Sequence, residues 1–420
     1  MNNKTPKNWI TCKISDLCDF QNGYAFNSND YVENGMPIIR MSNISVDGNL
    51  NLTPENTKYY QTEKAETLKK YILNKNDVVM AMTDMTKDMG IIGKTAIIDE
   101  DNRYLLNQRV GRLTIKNSKV LDYKYLHRYT NSPLFLNYAK QQCSGGVQLN
   151  LSTKAILEHK MILPPTIQEQ QEIAQVLDTM SDIIRLREEC ISHAQDLIPA
   201  LFQEMFGDIH NNKTNSQIVK LGDVADFIRG PFGGSLKKEI FVNEGYLVYE
   251  QYHAINNDFN FARYFIDEQK YKEMQRFSVK AGDLLISCSG TMGKIAIVPD
   301  NYKKGIINQA LLKLTVNPEY LNNIFLKNLL LTDYYQKNYF KDQPGAAIQN
   351  VRSVKVLKNI DIILPSLSLQ KQFVQKAIEI ESYIEEQQEE LENAKQMFQS
   401  LLHHAFTGEL TKHKYGEINE

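Results

Sequence analysis

Two stretches of the chain carry the same apolar rhythm. One series runs Ile173, Met180, Arg187, Ala194, Leu201, interleaved with Leu177, Ile184, Ile191, Ile198, Met205. The pattern returns as Phe373, Ile380, Gln387, Ala394, Leu401 with Ala377, Ile384, Leu391, Phe398, Ala405. A seven-residue repeat with alternating steps of three and four is the signature of a coiled-coil seam. Nine of the ten positions in each series are apolar, and the polar exception falls at the same place in both, Arg187 and Gln387. The remaining positions are rich in Glu and Gln, so the apolar stripe is narrow. This favours two long helices that pair with each other over amphipathic helices lying on their own globular neighbours.

The segments before each helix have a different texture. Short β-rich runs (Asp77–Met82, Lys94–Ile98, Leu284–Ser287, Lys294–Val298) alternate with Gly/Asn/Asp turns and a few helical stretches such as Tyr123–Tyr138. The chain is written twice. Ile14-Ser-Asp-Leu-Cys-Asp-Phe20 with Gly23 recurs as Leu221-Gly-Asp-Val-Ala-Asp-Phe227 with Gly230. Asn76-Asp-Val-Val79 recurs as Gly282-Asp-Leu-Leu285, Gly90-Ile-Ile-Gly-Lys94 as Gly290-Thr-Met-Gly-Lys294, and Asn107-Gln108 as Asn308-Gln309. Met161-Ile-Leu-Pro164 matches Ile362-Ile-Leu-Pro365, Gln170 matches Gln370, and Leu201 and Phe206 match Leu401 and Phe406. The period is far too long for a solenoid, so a pair of domains has been duplicated.

The expected fold is α+β (mixed α/β): two tandem globular domains separated by two long helices that form an antiparallel coiled coil, with an internal pseudo-two-fold. Residues 1–165 form the first domain, 166–208 the first helix, 209–365 the second domain, 366–407 the second helix, and 408–420 a tail. The second block starts soon after the first helix ends and feeds directly into the second helix, which is why the pairing is antiparallel. At 1.5 Å per residue, a helix of ~35 residues spans roughly 50 Å. Arg187 and Gln387 are expected to set the register, as polar residues on a seam do.

The net charge of −2 hides an alternation. Residues 1–160 hold 21 Lys+Arg and 16 Asp+Glu, and residues 211–361 hold 20 and 15, a net of +5 in each. Residues 161–210 hold 2 and 9 (net −7), and 362–420 hold 5 and 10 (net −5). Two mildly basic blocks suit an anionic partner, whereas two acidic helices suit protein partners. No apolar run approaches the ~20 residues of a membrane helix. Five scattered cysteines form no CxxC pair, so neither a disulfide framework nor a cysteine zinc site is expected, and a reduced cytoplasm is.

No catalytic constellation stands out. Gly93-Lys94-Thr95 resembles the end of a P-loop, but the required first glycine is Asp88, and the second copy has Ile295 in place of Ser/Thr. A tight turn, with glycine supplying φ > 0, explains the motif better. Asn317-Pro-Glu-Tyr320 is close to the Asn-Pro-Pro-Tyr signature of adenine methyltransferases, but Glu319 breaks it. Glu158-His-Lys160 has nuclease-like spacing without a partner aspartate. The eight histidines show no metal-ligand spacing, so no metal and no catalytic residue is expected.

Paired but diverged blocks on a stiff spacer suit the reading of two different DNA half-sites. Over nearly its full length the chain resembles the DNA-specificity (S) subunit of type I restriction–modification enzymes. The resemblance rests on the two recognition-like blocks, on the Asp283-Leu-Leu-Ile-Ser-Cys-Ser-Gly-Thr-Met-Gly-Lys-Ile-Ala-Ile297 type of run, and on the Leu-Pro-Pro…Glu169-Gln170 helix start. Copy two departs with Leu369-Gln370, and copy one with an insertion from Thr83 to Asp88. The resemblance implies a subunit without catalysis of its own. It would bind double-stranded DNA and two methyltransferase subunits that use S-adenosylmethionine, and two ATP- and Mg-dependent restriction subunits can join. No cofactor in this chain and no membrane are expected. Two alternatives stay open: the recognition half of a split single-chain-type restriction–methyltransferase, and a coiled-coil scaffold with no DNA role.

Arg and Lys suit guanine, Asn and Gln suit adenine, and Lys holds phosphates. On that basis the expected DNA-contacting residues are Arg40, Asn43, Lys87, Lys94, Gln108 and Arg109 in block one. In block two they are Arg229, Lys237, Gln251, Lys294, Gln309 and Gln349. Tyr24, Phe26 and Phe232 follow the first glycine turn of each block, where core packing competes with a wedge against DNA.

Overall fold

A computed structural model describes residues 8–86, 88–144, 149–232, 234–340 and 351–410. The chain divides into two compact units, Met1–Arg187 with Glu390–Glu420, and Glu188–Glu389.

In the first unit, Ile10–Lys13 pairs antiparallel with Lys160–Leu163, tying the start of the block to the residues just before the long helix. A four-stranded antiparallel sheet has the order Cys18–Asn22, Val110–Ile115, Val78–Ala81, Thr95–Ile97. A second, mixed sheet is built around Met36–Ile39, which runs parallel to Tyr104–Leu106. The second unit repeats this layout. Gln217–Lys220 pairs with Asp361–Leu364. Ala225–Arg229, Leu311–Val316, Leu284–Ser287 and Ile295–Ile297 form the antiparallel sheet. Tyr246–Tyr249 runs parallel to Gly305–Ile307.

The repeated residues hold the same turns. Asp77 accepts the Asn74 N–H at 2.8 Å, and Asp283 accepts the Lys280 N–H at 2.8 Å. The residue before each aspartate is left-handed, Asn76 at φ 69° and Gly282 at φ 82°, a conformation open to Asn and Gly but costly for most side chains. In the Gly-x-x-Gly-Lys turn only the second glycine is left-handed in both copies (Gly93 φ 75°, Gly293 φ 73°). A Cβ there would fall 2.9 Å from Ala139 in one block and 2.7 Å from Phe340 in the other. The motif is thus a strand-to-strand turn pressed against a helix.

The expected helical stretch Tyr123–Tyr138 is broken. Helices span Tyr123–Thr130 and Pro133–Gln141. Pro133 excludes the α conformation from the residue before it, and Ser132 is extended at ψ 155°.

The long helices are Ile167–Met205 and Leu367–Thr407. Every one of the twenty seam positions is buried or half-buried. In the first unit, Ile173 and Leu177 from the start of one helix share a core with Leu402, Ala405 and Phe406 from the end of the other. Phe406 packs edge-on to Tyr125 and Tyr129, at 5.6 and 5.2 Å between centroids. Away from that core, Arg187 forms an ion pair with Glu390, so the segments run antiparallel. In the second unit, Ile198, Phe202 and Phe206 share a core with Phe373 and Ala377, and farther out Cys190 meets Tyr383 at 3.2 Å.

The repeated glutamine explains how each helix is fixed to its block. The Gln170 carbonyl accepts the Asp122 N–H at 2.9 Å, and its amide donates to Val120 O at 2.9 Å. The Gln370 carbonyl accepts the Asn322 N–H at 2.8 Å, and its amide donates to Tyr320 O at 3.0 Å and Pro365 O at 2.8 Å. Both side chains are sealed, at 1% and 0% exposure. Gln370→Leu strands one N–H and two carbonyls in a dry site, so a loss of about 2–3 kcal/mol is expected, read as a lowered urea midpoint for the second unit.

Candidate nucleic-acid interface

Each parallel strand pair ends at a corner where three loops meet. In block one, Asn107 N–H donates to Ile39 O at 3.1 Å and Gln108 N–H to Tyr24 O at 2.9 Å. Met82 N–H donates to Arg109 O at 3.0 Å. In block two, Asn308 N–H donates to Tyr249 O at 2.9 Å and Cys288 N–H to Ala310 O at 2.9 Å. The glycine repeated before each corner makes this possible. A Cβ on Gly23 would sit 2.1 Å from Asn107 O, and one on Gly230 would sit 1.8 Å from Asn308 O. Asn107 and Asn308 are turn residues: their side-chain carbonyls accept the N–H two residues ahead, at 3.2 and 3.0 Å. The neighbouring Gln108 and Gln309 are exposed.

In block one the corner brings together Arg40, Gln108 and Arg109. Arg40 and Arg109 are half-exposed, and the Arg109 guanidinium lies 4.0 Å from the exposed Met85 sulfur. Among the described residues of the insertion, Asp84 is the organising group: it accepts from Thr86 N–H, Thr86 O–H and Ile91 N–H at 2.7–2.9 Å. Burial works against that carboxylate, but these donors hold its pKa below the ordinary value. In block two the corner brings together Gln251 and Gln309, with Ser289 donating to the Gln251 carbonyl at 3.2 Å. Sequence reasoning missed Ser289, the Glu250–Arg263 ion pair (2.8 Å) and the Tyr252–Phe261 ring contact (4.1 Å). Only the strand pairing reveals them, because Arg263 and Phe261 come from a loop with no repeated motif.

Asn43 is a correction. It was expected at a base edge, but it is fully buried with its polar atoms committed. Its carbonyl accepts the Arg40 N–H at 2.9 Å, and its amide donates to Asn51 O and to the Asn56 side chain. His253 fills the same slot in block two, accepting the Glu250 N–H at 3.0 Å and lying 3.0 Å from Phe261 O.

The remaining expected residues lie elsewhere on the blocks. Lys94 is partly buried, which lowers its pKa against the opposing pull of Asp47. Lys294 is exposed on the equivalent turn, and Lys237 is exposed ahead of the short turn Lys238–Ile240. Arg229 is half-buried beside Cys288, whose thiol burial pushes up to about 11. Lys87 and Gln349 lie outside the described residues.

The family model described as "Type I restriction modification DNA specificity domain" matches residues 6–193 and again 213–393. The chain belongs to this family. It is 24% identical to the specificity subunit of the type I restriction enzyme EcoBI from Escherichia coli, over 96% of this chain and 86% of that one. It is also 24% identical to the MjaVIII specificity subunit from Methanocaldococcus jannaschii, over 80% of each. Two solved structures share the fold. A chain from work on complex assembly and conformational transition of the type I R-M system matches with TM-score 0.62 at 16% identity, covering 97% of this chain and 99% of that one. The type I restriction–modification S subunit from M. genitalium matches with TM-score 0.56 at 17% identity, covering 97% of each.

As a DNA-specificity subunit, the chain has no catalysis of its own, and the motifs that imitate enzymes have structural explanations. Asn317-Pro-Glu-Tyr320 is the second copy of the turn at Asn117. Asn317 Oδ1 accepts the Glu319 N–H at 3.0 Å, as Asn117 Oδ1 accepts the Lys119 N–H at 2.9 Å. In Glu158-His-Lys160 the histidine is packed among Phe135, Tyr138 and Tyr129, and burial lowers its pKa to about 4. Among the described residues no group of three or more His, Cys, Asp or Glu is placed to hold a metal, and no helix is long and apolar enough to cross a membrane.

Proposed function

We propose that each block reads one half of an asymmetric, bipartite site in double-stranded DNA through its corner, while the helix pair sets the spacing and docks two methyltransferase subunits. The observation that carries this reading is a constant backbone frame with different side chains. Arg40 takes the position of Glu250, Met41 that of Gln251, and Arg109 that of Ala310, while Gln108 and Gln309 agree. A structural requirement would keep these positions alike; reading two different half-sites would not. Arg109 and Arg40 suit guanine edges, and Gln108, Gln251 and Gln309 suit adenine edges. Lys87, Lys94, Lys237, Lys294 and Arg229 serve as phosphate contacts, with Gln349 as a further polar contact in block two.

The helices supply the protein surface. Beyond the seam they expose Val176, Ile183, Leu186 and Met397 in the first unit, and Leu197, Ile378 and Tyr383 in the second. In the second unit a groove lined by Leu197, Leu201, Ile380 and Tyr383 is bordered by Glu204, Glu379 and Lys376. Apolar rows with charged edges suit helices from two methyltransferase subunits, and two restriction subunits can join the same assembly. Arg187 and Gln387, the polar breaks in the seam, fix its register. S-adenosylmethionine, ATP and magnesium serve the partner subunits, and the working compartment is the cytoplasm.

The test is methylation mapping of the chain co-expressed with its methyltransferase subunit. Exchanging residues 1–165 for the block of another specificity subunit should change one half of the methylated motif and leave the other intact. The purified complex should bind its duplex with an affinity that falls linearly in log–log terms with salt. Salt-independent or absent duplex binding would support the scaffold alternative.

A further inference from the structure

Among the seventeen phenylalanines, all of them described, Phe232 alone is exposed, at 91%. Leaving a ring of this size in water forgoes the gain that burial gives the other sixteen. Its setting is fixed on the N-terminal side. Gly230 is pressed against Asn308 O, its N–H donates to Leu311 O at 2.9 Å, and Pro231 is buried. Phe232 O then accepts the Ser235 N–H at 3.0 Å. The backbone is therefore engaged on both sides of a ring left almost wholly in solvent.

The location matters as much as the exposure. The Gly230 turn lies against the Asn308–Gln309 corner, two residues before Phe232. Residues 229–238 carry Arg229, Lys237 and Lys238 and no carboxylate. In block one the rings after the glycine turn are packed on others: Phe26 is buried against Tyr24 and Tyr60, at 5.0 and 5.1 Å between centroids, and Tyr24, 37% exposed, also leans on Tyr71 at 5.3 Å.

We infer that Phe232 stacks on a base of the second half-site and unstacks that step, with no counterpart wedge in the first half-site. An aromatic ring flanked by cations and glycines is the chemistry that base faces recognise, and an inserted apolar wedge opens a base step at a cost that contacts along the bent duplex offset. The inference rests on the proposed DNA reading by each block and adds a deformation step confined to block two.

The experiment uses the complex of the full chain with its methyltransferase subunits and a duplex carrying the mapped motif. 2-Aminopurine is placed at successive positions of either half-site. Apart from the base that each methyltransferase flips out, wild-type complex should raise the fluorescence at one step of the second half-site only. Phe232→Ala should abolish that rise and weaken binding roughly ten-fold to a hundred-fold, while Phe232→Trp restores both. Because the ring is exposed, thermal melting of the alanine variant should match wild type. If the variant binds and unstacks the duplex like wild type, the inference fails, as it does if Phe232→Ala only weakens assembly with the methyltransferase. If the wild-type complex shows no sequence-specific binding, the underlying DNA reading fails instead.

Discussion

Lowering the pH from 7 to 5 should destabilise the first unit by about 4 kcal/mol. Two histidines, His127 buried and His159 half-buried, drive this. Burial, aided by nearby Arg128 and Lys94, lowers the His127 pKa to about 3, and burial lowers that of His159 to about 4. The local geometry agrees. His127 Nδ1 faces the Asn131 amide at 3.1 Å, and that amide is oriented by Thr95 N–H donating to its carbonyl at 3.2 Å. A second proton on the ring would set N–H against N–H. Both folded pKa values lie below the unfolded value of roughly 6.5, so the stabilisation is complete above pH 6.5 and is lost as pH falls toward 4 and 3. At pH 5 the unfolded chain has bound nearly one proton per histidine and the folded unit almost none, which gives about 2 kcal/mol each. Trp9, the single tryptophan, is buried in this unit with its indole N–H on Glu169, so its fluorescence follows the transition. His159→Phe, which keeps the aromatic packing, should remove about half of the acid sensitivity. Identical urea midpoints at pH 7 and pH 5 would contradict the assignment.

The parts of the structure most legible in the sequence were those that periodicity dictates. A seven-residue seam can bury its apolar positions only by pairing, and all twenty became buried or half-buried. The duplicated motifs were legible for a similar reason, since turns impose narrow backbone demands: Gly93 and Gly293 must be left-handed, and Gly23 and Gly230 must let a carbonyl approach. What stayed hidden was any role that two chemically different residues can fill. Asn43 and His253 occupy one slot because the turn needs an acceptor for the N–H three residues back and a donor for a later carbonyl. Asparagine and histidine both meet that need, so neither reads as a repeat of the other. The corner is illegible for the converse reason: its backbone repeats while its side chains do not. The break at Ser132 was readable from Pro133, but the helical texture on either side masked it.

The same logic isolates a buried ion pair whose disruption has the other large expected effect. Each block places a cation on the central strand opposite the aspartate that closes the Asn76/Gly282 turn. In block one Arg112 pairs with Asp77 at 3.3 Å, with 15% and 12% of the side chains exposed. In block two Lys313 pairs with Asp283 at 3.6 Å and is far drier, at 6% and 1%. The Lys313 ammonium also donates to Ser278 O, and Asp283 accepts the Thr315 hydroxyl at 2.5 Å. Lys313→Met keeps most of the side-chain length but leaves Asp283 charged and uncompensated in a sealed site, so a loss of about 3–5 kcal/mol is expected for the second unit. Arg112→Met should cost less, because water reaches that pair. The decisive comparison is the double variant Lys313→Met with Asp283→Asn. An amide still accepts the Lys280 N–H on its oxygen, and its NH2 can donate to the Thr315 hydroxyl oxygen in place of the bond it loses, while it carries no charge to strand. If an uncompensated charge is the cause, the double variant should recover more than half of the loss in urea unfolding. If the double variant is as unstable as Lys313→Met alone, the cause is lost packing or the lost bond to Ser278, and the electrostatic account of this strand fails.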